Sequence, residues 1–101
     1  MAKTTNLVAD TLYKIIKNGD TSNTKAVLNI TGLPAISYGS YSNQDTLPTT
    51  FAELSADKGV DDNLIEGKYT TEFLGLTEYI GFSGTGTVSL TVDFLLVLKV
   101  E

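Results

Sequence analysis

The sequence predicts a β-dominated α+β fold: an antiparallel sheet built on a long C-terminal hairpin over about 73–100, with an N-terminal helix over about 6–17. A small all-β sandwich or jelly roll is the alternative. Three observations lead there. Every even position from 88 to 100 is apolar: Val88, Leu90, Val92, Phe94, Leu96, Leu98 and Val100. Upstream, Leu74, Leu76, Ile80 and Phe82 continue the alternation, with Glu78 the exception. Near the start, Val8, Leu12, Ile15 and Ile16 recur at helical spacing. At 101 residues the chain reads as a single domain, 1–101, with a 42% hydrophobic share that supplies one modest core.

The N-terminal helix has its polar side in Asp10, Thr11, Lys14 and Lys17. Thr5 or Asn6 can cap its start and Asn18-Gly19 can stop it. Asp10 and Lys14 are an acid-to-base pair at i,i+4 in the favoured order. A strand reading competes, because Leu7, Ala9, Tyr13 and Ile15 alternate, but Thr11 and Lys17 interrupt it. Residues 18–24 are a polar loop, and Ala26 to Ile30 a short strand ended by Gly32 and Pro34. From Ala35 to Thr49 the Ser-, Tyr- and Thr-rich chain reads as a long loop with a short strand at 35–38. Thr50-Phe51-Ala52-Glu53 is a capping box, so a helix follows over 51–57 and stops near Gly59. Asp61-Asp62-Asn63 is a turn, and Leu64 to Thr70 a strand.

The stretch from 88 to 100 is roughly 43 Å of strand at the usual rise. A three-residue loop at 84–86 pairs Phe82 with Val88, Ile80 with Leu90, Leu76 with Phe94 and Leu74 with Leu96, apolar on apolar throughout. Gly86 supplies the left-handed residue such loops end on. The other face is polar near the turn, where Tyr79 meets Thr91. It becomes apolar farther out, where Gly75 meets Leu95 and Phe73 meets Val97. That half needs a cover, from the N-terminal helix or from another subunit.

Composition excludes more chemistry than any motif supports. The net charge is −5, and all seven cations are Lys; there is no Arg, His, Cys or Trp. Without His or Cys there is no zinc site of the usual ligands, no Ser-His-Asp triad and no thiol redox cycle. Without Arg the bidentate reader of phosphate and guanine is missing, and a net acidic surface repels nucleic acid and anionic lipid. The expectation is no enzyme activity, no cofactor, no resident metal, no nucleic-acid partner and no membrane partner. The polar opening residues do not read as a signal peptide, and Phe94 to Leu98 is too short to cross a bilayer. A soluble protein made in the cytoplasm is expected.

Asp57, Asp61, Asp62 and Glu66 could hold a calcium ion, but their spacing fails the EF-hand pattern and a solvated turn is the simpler reading. Asn18 to Asn23 also offers oxygens, as an ordinary turn does. Glu78, if buried, could act as an acid or base; placement near a sheet end or beside a Lys explains it as well. Gly84-Thr85-Gly86 lacks the Lys and helix of a phosphate loop. Asn29-Ile30-Thr31 matches a glycosylation sequon that has no meaning without secretion. Tyr38-Gly39-Ser40-Tyr41-Ser42 has the composition of an adaptable contact loop, for a subunit or a glycan; its rings could equally fold back on the core.

The Thr/Ser/Gly-rich middle from Asp20 to Thr50, the absence of Cys, His, Arg and Trp, and the amphipathic strand Val88–Val100 together resemble the small accessory virion proteins of tailed bacteriophages: capsid decoration, head-completion or tail proteins. That resemblance implies a non-catalytic subunit acting by repeated protein–protein contacts, with itself or with capsid or tail proteins, in a virion. It assigns no residue. The interface expected from the residues themselves is Tyr38, Tyr41, Phe73, Leu95 and Val97. A small ligand- or carbohydrate-binding β domain using the Tyr38–Tyr41 loop is the alternative.

Overall fold

A computed structural model describes residues 3–17, 24–41, 46–61, 66–73, 77–92 and 95–101. It contains β1 (Lys3–Asn6), β2 (Tyr13–Lys17), β3 (Thr24–Gly32), β4 (Ala35–Tyr41), α1 (Phe51–Lys58), β5 (Gly67–Phe73), β6 (Thr77–Ser83), β7 (Gly86–Val92) and β8 (Leu95–Lys99). The strands form two four-stranded antiparallel sheets, ordered β1-β7-β3-β5 and β4-β6-β2-β8. Odd-numbered strands occupy one sheet and even-numbered strands the other, so consecutive strands lie in opposite sheets. The fold is β-dominated, two antiparallel sheets with one helix among the described residues.

The two sheets share one core. Ala26, Leu28, Ile30, Val88, Leu90 and Val92 face it from the odd sheet. Tyr13, Ile15, Ile36, Ile80 and Phe82 face it from the even sheet. Helix α1 packs on the opposite face of the even sheet, mainly over β4 and β6. There Phe51 and Leu54 meet Leu12, Tyr41 and Tyr79 in a second core. The Tyr41 and Tyr79 rings meet edge-on, 5.6 Å between centroids.

The long C-terminal hairpin is not formed. Phe82 lies opposite Ile36 and Val88 opposite Ile30, while the turn Ser83–Gly86 carries the chain from the even sheet to the odd one. The expected alternation is present, since Ile80, Phe82, Val88, Leu90 and Val92 are all buried. Alternation fixes the face a residue presents but not its neighbour. In a sandwich, apolar faces meet across the core instead of side by side. The expected pairs Leu76–Phe94 and Leu74–Leu96 involve residues outside those described. Gly86 (φ 116°) is required for a different reason than a hairpin bulge. It lies opposite Gly32 (φ 75°), and a Cβ on Gly32 would stand 2.8 Å from the Gly86 Cα.

The single strand over 88–100 is instead two strands, β7 and β8, in opposite sheets. The buried parity changes between them. Val92 is buried on an even position, whereas Val97, an odd one, packs against the inter-sheet core and Leu98 is 45% exposed.

The N-terminal helix over 6–17 is replaced by β1, a crossing segment and β2. Leu7 N–H donates to the Val88 carbonyl and Asp10 N–H to the Phe82 carbonyl, bridging the two sheets. Asp10 turns the chain at φ 58°. The helical stripe fails because Val8, one of its members, is 55% exposed. Aromatic and β-branched Tyr13, Ile15 and Ile16 suit a strand, and β2 gains ladder partners on both sides, β6 and β8. The long loop over 35–49 is likewise corrected: β4 runs through Tyr41 and pairs with β6 along its whole length. The strand read at 26–30 extends over 24–32, and that at 64–70 over 67–73, with 62–65 outside the described residues.

The middle helix forms as expected. Thr50 Oγ1 accepts from Glu53 N–H at 3.1 Å, and the Glu53 carboxylate accepts from Thr49 N–H and Oγ1. The capping box thus closes one residue earlier than the standard pattern. These bonds hold the Glu53 pKa below the usual carboxylate range. Gly59 (φ 80°) ends the helix, donating to the Ser55 carbonyl.

Ser37 is fully buried in β4, and its hydroxyl has no hydrogen-bond partner among the described residues. Replacing it should remove an unsatisfied polar atom. Ser37→Ala is expected to raise unfolding stability by about 1 kcal/mol, read by urea denaturation. A loss of that size would instead reveal a bond the hydroxyl makes.

Candidate functional site

The five expected interface residues do not form one surface. Tyr38 and Tyr41 project from opposite faces of β4. Tyr38 is half-buried against the inter-sheet core, and Tyr41 lies under α1 at 7% exposure. The rings are therefore core elements. Val97 also packs on the inter-sheet core, so it does not stand on an outer face. Phe73 and Val97, expected as hairpin neighbours, stand on strands β5 and β8 of different sheets. The side chains of Phe73 and Leu95 lie outside what is described.

Glu78 is buried at 4% exposure on the inter-sheet face, directly across from Ser40. Its Oε1 accepts from the Tyr38 hydroxyl at 2.8 Å and from the Ser40 hydroxyl at 3.1 Å. The exception in the alternating pattern is thus a carboxylate held in the core by two hydroxyls. Burial first, and the Glu78 carboxylate second, push the Tyr38 phenol well above its ordinary value. Burial and then the neighbouring Asp57 carboxylate raise Tyr41 to about 12, and burial raises Tyr79.

A pH dependence follows. The fold keeps these phenols protonated, so above the ordinary tyrosine value of 10.0 the folded chain binds more protons than the unfolded chain. Stability should fall as pH rises from 10 toward about 12, the raised value of Tyr41. The tyrosinate absorbance of Tyr38, Tyr41 and Tyr79, assigned by difference from single Phe variants, should appear together with the loss of the circular dichroism signal. Ionisation of these three near the ordinary value while the fold persists would disprove it.

The acidic members of 57–66 that are described have separate tasks. Asp61 exchanges backbone hydrogen bonds with Ile36 at the open edge of β4, and Glu66 accepts from Gly32 N–H at 3.1 Å. Asp62 lies outside the described residues. No group of three carboxylates able to hold a metal occurs among the described residues.

Two clefts flank Lys58. Gly39 has no side chain, and the Lys58 stem lies across it; a Cβ there would run into the methylenes. The Lys58 ammonium sits 4.4 Å from the Tyr41 ring centroid and 3.9 Å from an Asp57 oxygen. On one side is a polar cleft of about 470 Å³ between Tyr41, Leu47, Pro48 and Asp57. On the other is a more apolar cleft of about 430 Å³ lined by Leu28, Ile36, Tyr38, Val60 and Ile80. No sequence motif marks this position; a Lys in the last turn of a capped helix is common for its effect on the helix dipole alone.

Strand β8 forms one margin of the even sheet, with β2 on one side and no described strand on the other. Leu96 and Leu98 share the face that carries α1 elsewhere, because they lie opposite Ile16 and Lys14. Leu98 is 45% exposed, Val100 beyond it 41%, and Leu96 half-buried. No helix among the described residues is long and apolar enough to cross a membrane. Comparison with known proteins gives no match to a family model, a curated protein or a solved structure.

Proposed function

We propose that this chain is a non-catalytic structural subunit of a larger protein assembly, working by repeated protein–protein contacts as small accessory virion proteins do. The observation that carries this reading is the β8 margin, a strand edge with no partner strand among the described residues and with Leu98 and Val100 exposed beside it. Open edges are templates for further strand pairing, and proteins that stay monomeric blunt them with charge, proline or bulges. β8 carries one charge, Lys99, and no proline. The net charge of −5 and the lack of Arg favour protein partners over nucleic acid or anionic membranes. The reading of no enzymatic activity rests on the missing His and Cys and on the burial of Glu78.

The test is sedimentation velocity over a concentration series. Wild type should associate with rising concentration, and Lys99→Pro, which removes an edge donor, should weaken that association while preserving the fold. A wild-type chain that stays monomeric throughout overturns the reading.

The clefts at Lys58 favour a second reading, a small-ligand-binding β domain. An amphipathic anion could place its apolar part against Ile36, Val60 and Ile80 and its charge on Lys58. Titration with 1-anilinonaphthalene-8-sulfonate should then saturate, with affinity reduced in Lys58→Gln. Equal binding by both proteins argues against it.

A further inference from the structure

We infer that the occupant of the β8 margin is a second copy of this chain, paired antiparallel through β8 about a two-fold axis that passes beside Leu98. The inference rests on the assembly reading above and specifies its partner and register.

The backbone decides which groups are available. Val100 N–H donates to the Leu12 carbonyl at 2.8 Å. In an antiparallel ladder bonded pairs alternate with non-bonded ones, so Leu98 and Leu96 also bond toward β2. The N–H and C=O groups of Val97 and Lys99 therefore point away from β2, toward the open margin. A second β8 entering there finds two residues per chain ready to form ladder bonds.

The side chains decide the register. Paired residues share a face, so an isologous pair must match even positions with even positions. Centring on Lys99 would set two ammonium groups against each other. Centring on Val97 sets Leu96 against Leu98 of the copy and leaves Val100 uncovered. Centring on Leu98 sets Leu98 against its own counterpart and Leu96 against Val100 of the copy. It also sets Lys99 against Val97 of the copy. Only this last register covers all three apolar residues of the exposed face and opposes no like charges. It also exchanges the Val97 and Lys99 backbone groups reciprocally. The result is a continuous eight-stranded sheet with both helices on one face. The helix α1 packs mainly over β4 and β6, and its first residue meets only the far end of the seam, where Phe51 N–H donates to Glu101. The contact spans only a few residues per chain, well below the roughly 1,200–2,000 Å² of a standard stable interface. The pair alone should be weak and concentration-dependent, and a repeated assembly would need further contacts.

The chain has no cysteine, which makes single-site cross-linking unambiguous. In the inferred register position 98 is a non-hydrogen-bonded pair, where cross-strand Cα atoms approach to about 4.5 Å, a distance that accepts a disulfide. Under mild oxidation Leu98→Cys should give a covalent dimer on a non-reducing gel. Leu96→Cys should give several-fold less, since its own counterpart lies roughly four residues along the ladder, about 13 Å away at the strand rise. The double variant Leu96→Cys/Val100→Cys should cross-link again. Equal cross-linking of both single variants, or preferential cross-linking of Leu96→Cys, overturns the register. If no variant cross-links while wild type still associates in sedimentation, β8 self-pairing is wrong and the assembly reading survives. If wild type also stays monomeric, both fail. Partial exposure of positions 96, 98 and 100 keeps these variants folded, which far-ultraviolet circular dichroism verifies.

Discussion

Gly81→Val should detach the helix layer from the even sheet. A Cβ at Gly81 would run into the Phe51 ring and would stand 2.8 Å from the Thr11 carbonyl oxygen. Neither can move cheaply. Phe51 is the first helical residue, buried in the second core, and the Thr11 carbonyl belongs to the backbone leading into β2. Overpacking of this kind costs about 1–3 kcal/mol or more, and losing the burial of Phe51 adds about 1.5–3 kcal/mol. The expected total of about 3 kcal/mol or more should lower the melting temperature by about 10–20 °C. Gly39→Ala is the contrast. The atoms nearest its Cβ are the methylenes of the Lys58 stem, which can swing into solvent, so that variant should lose well under half as much. Equal losses at the two glycines would show that the helix does not sit on Gly81.

The glycine contrast also shows what the sequence could and could not reveal. Alternation at Ile80, Phe82, Val88, Leu90 and Val92 was legible because side-chain period depends only on local geometry. The α1 boundaries were legible for the same reason, through Thr50, Glu53 and Gly59, whose bonds all lie within a few residues. Which strands pair was not legible. A β6–β7 hairpin and a β6-to-β7 crossing between sheets demand identical alternation and the same pair of glycines. The N-terminal segment was misleading because it carries both periods: Val8, Leu12, Ile15 and Ile16 recur at helical spacing, while Leu7, Ala9, Tyr13 and Ile15 alternate. Tertiary pairing of β2 with β6 and β8 chose between them. Tyr38 and Tyr41 have the composition of a contact loop, yet β4 is a margin strand with one aromatic ring sent to each core. Glu78 was recognisable as the exception in its face, but its partners, Tyr38 and Ser40, sit on a segment that reads as loop. The open β8 margin was hidden because it requires the break between Val92 and Leu95. The continuous apolar alternation from 88 to 100 gives no sign of that break.

Glu101→Ala should destabilise the fold although the residue is exposed overall. Its Oε1 accepts from Phe51 N–H at 2.9 Å and from Leu12 N–H at 3.0 Å. The first donor is one of the N–H groups that a helix start leaves without an internal partner, and the helix dipole favours a negative charge there. The second lies one residue before β2, where the Leu12 carbonyl in turn accepts from Val100 N–H. One carboxylate thus joins the last strand, the entry to β2 and the start of α1, three segments far apart in the sequence. Hydrogen bonds to a charged group contribute about 1.5–3 kcal/mol each. Solvent access near Glu101 reduces that, so about 2–4 kcal/mol in all is expected for the alanine variant. Glu101→Gln keeps an acceptor oxygen but removes the charge, and should lose about half as much. Urea unfolding of the three proteins measures the series. Amide hydrogen exchange should also show faster opening at Phe51 and Leu12 in the alanine variant than at the inter-sheet residues Ile30 and Leu90. Unchanged stability in both variants would mean that the Glu101 side chain does not hold these segments together.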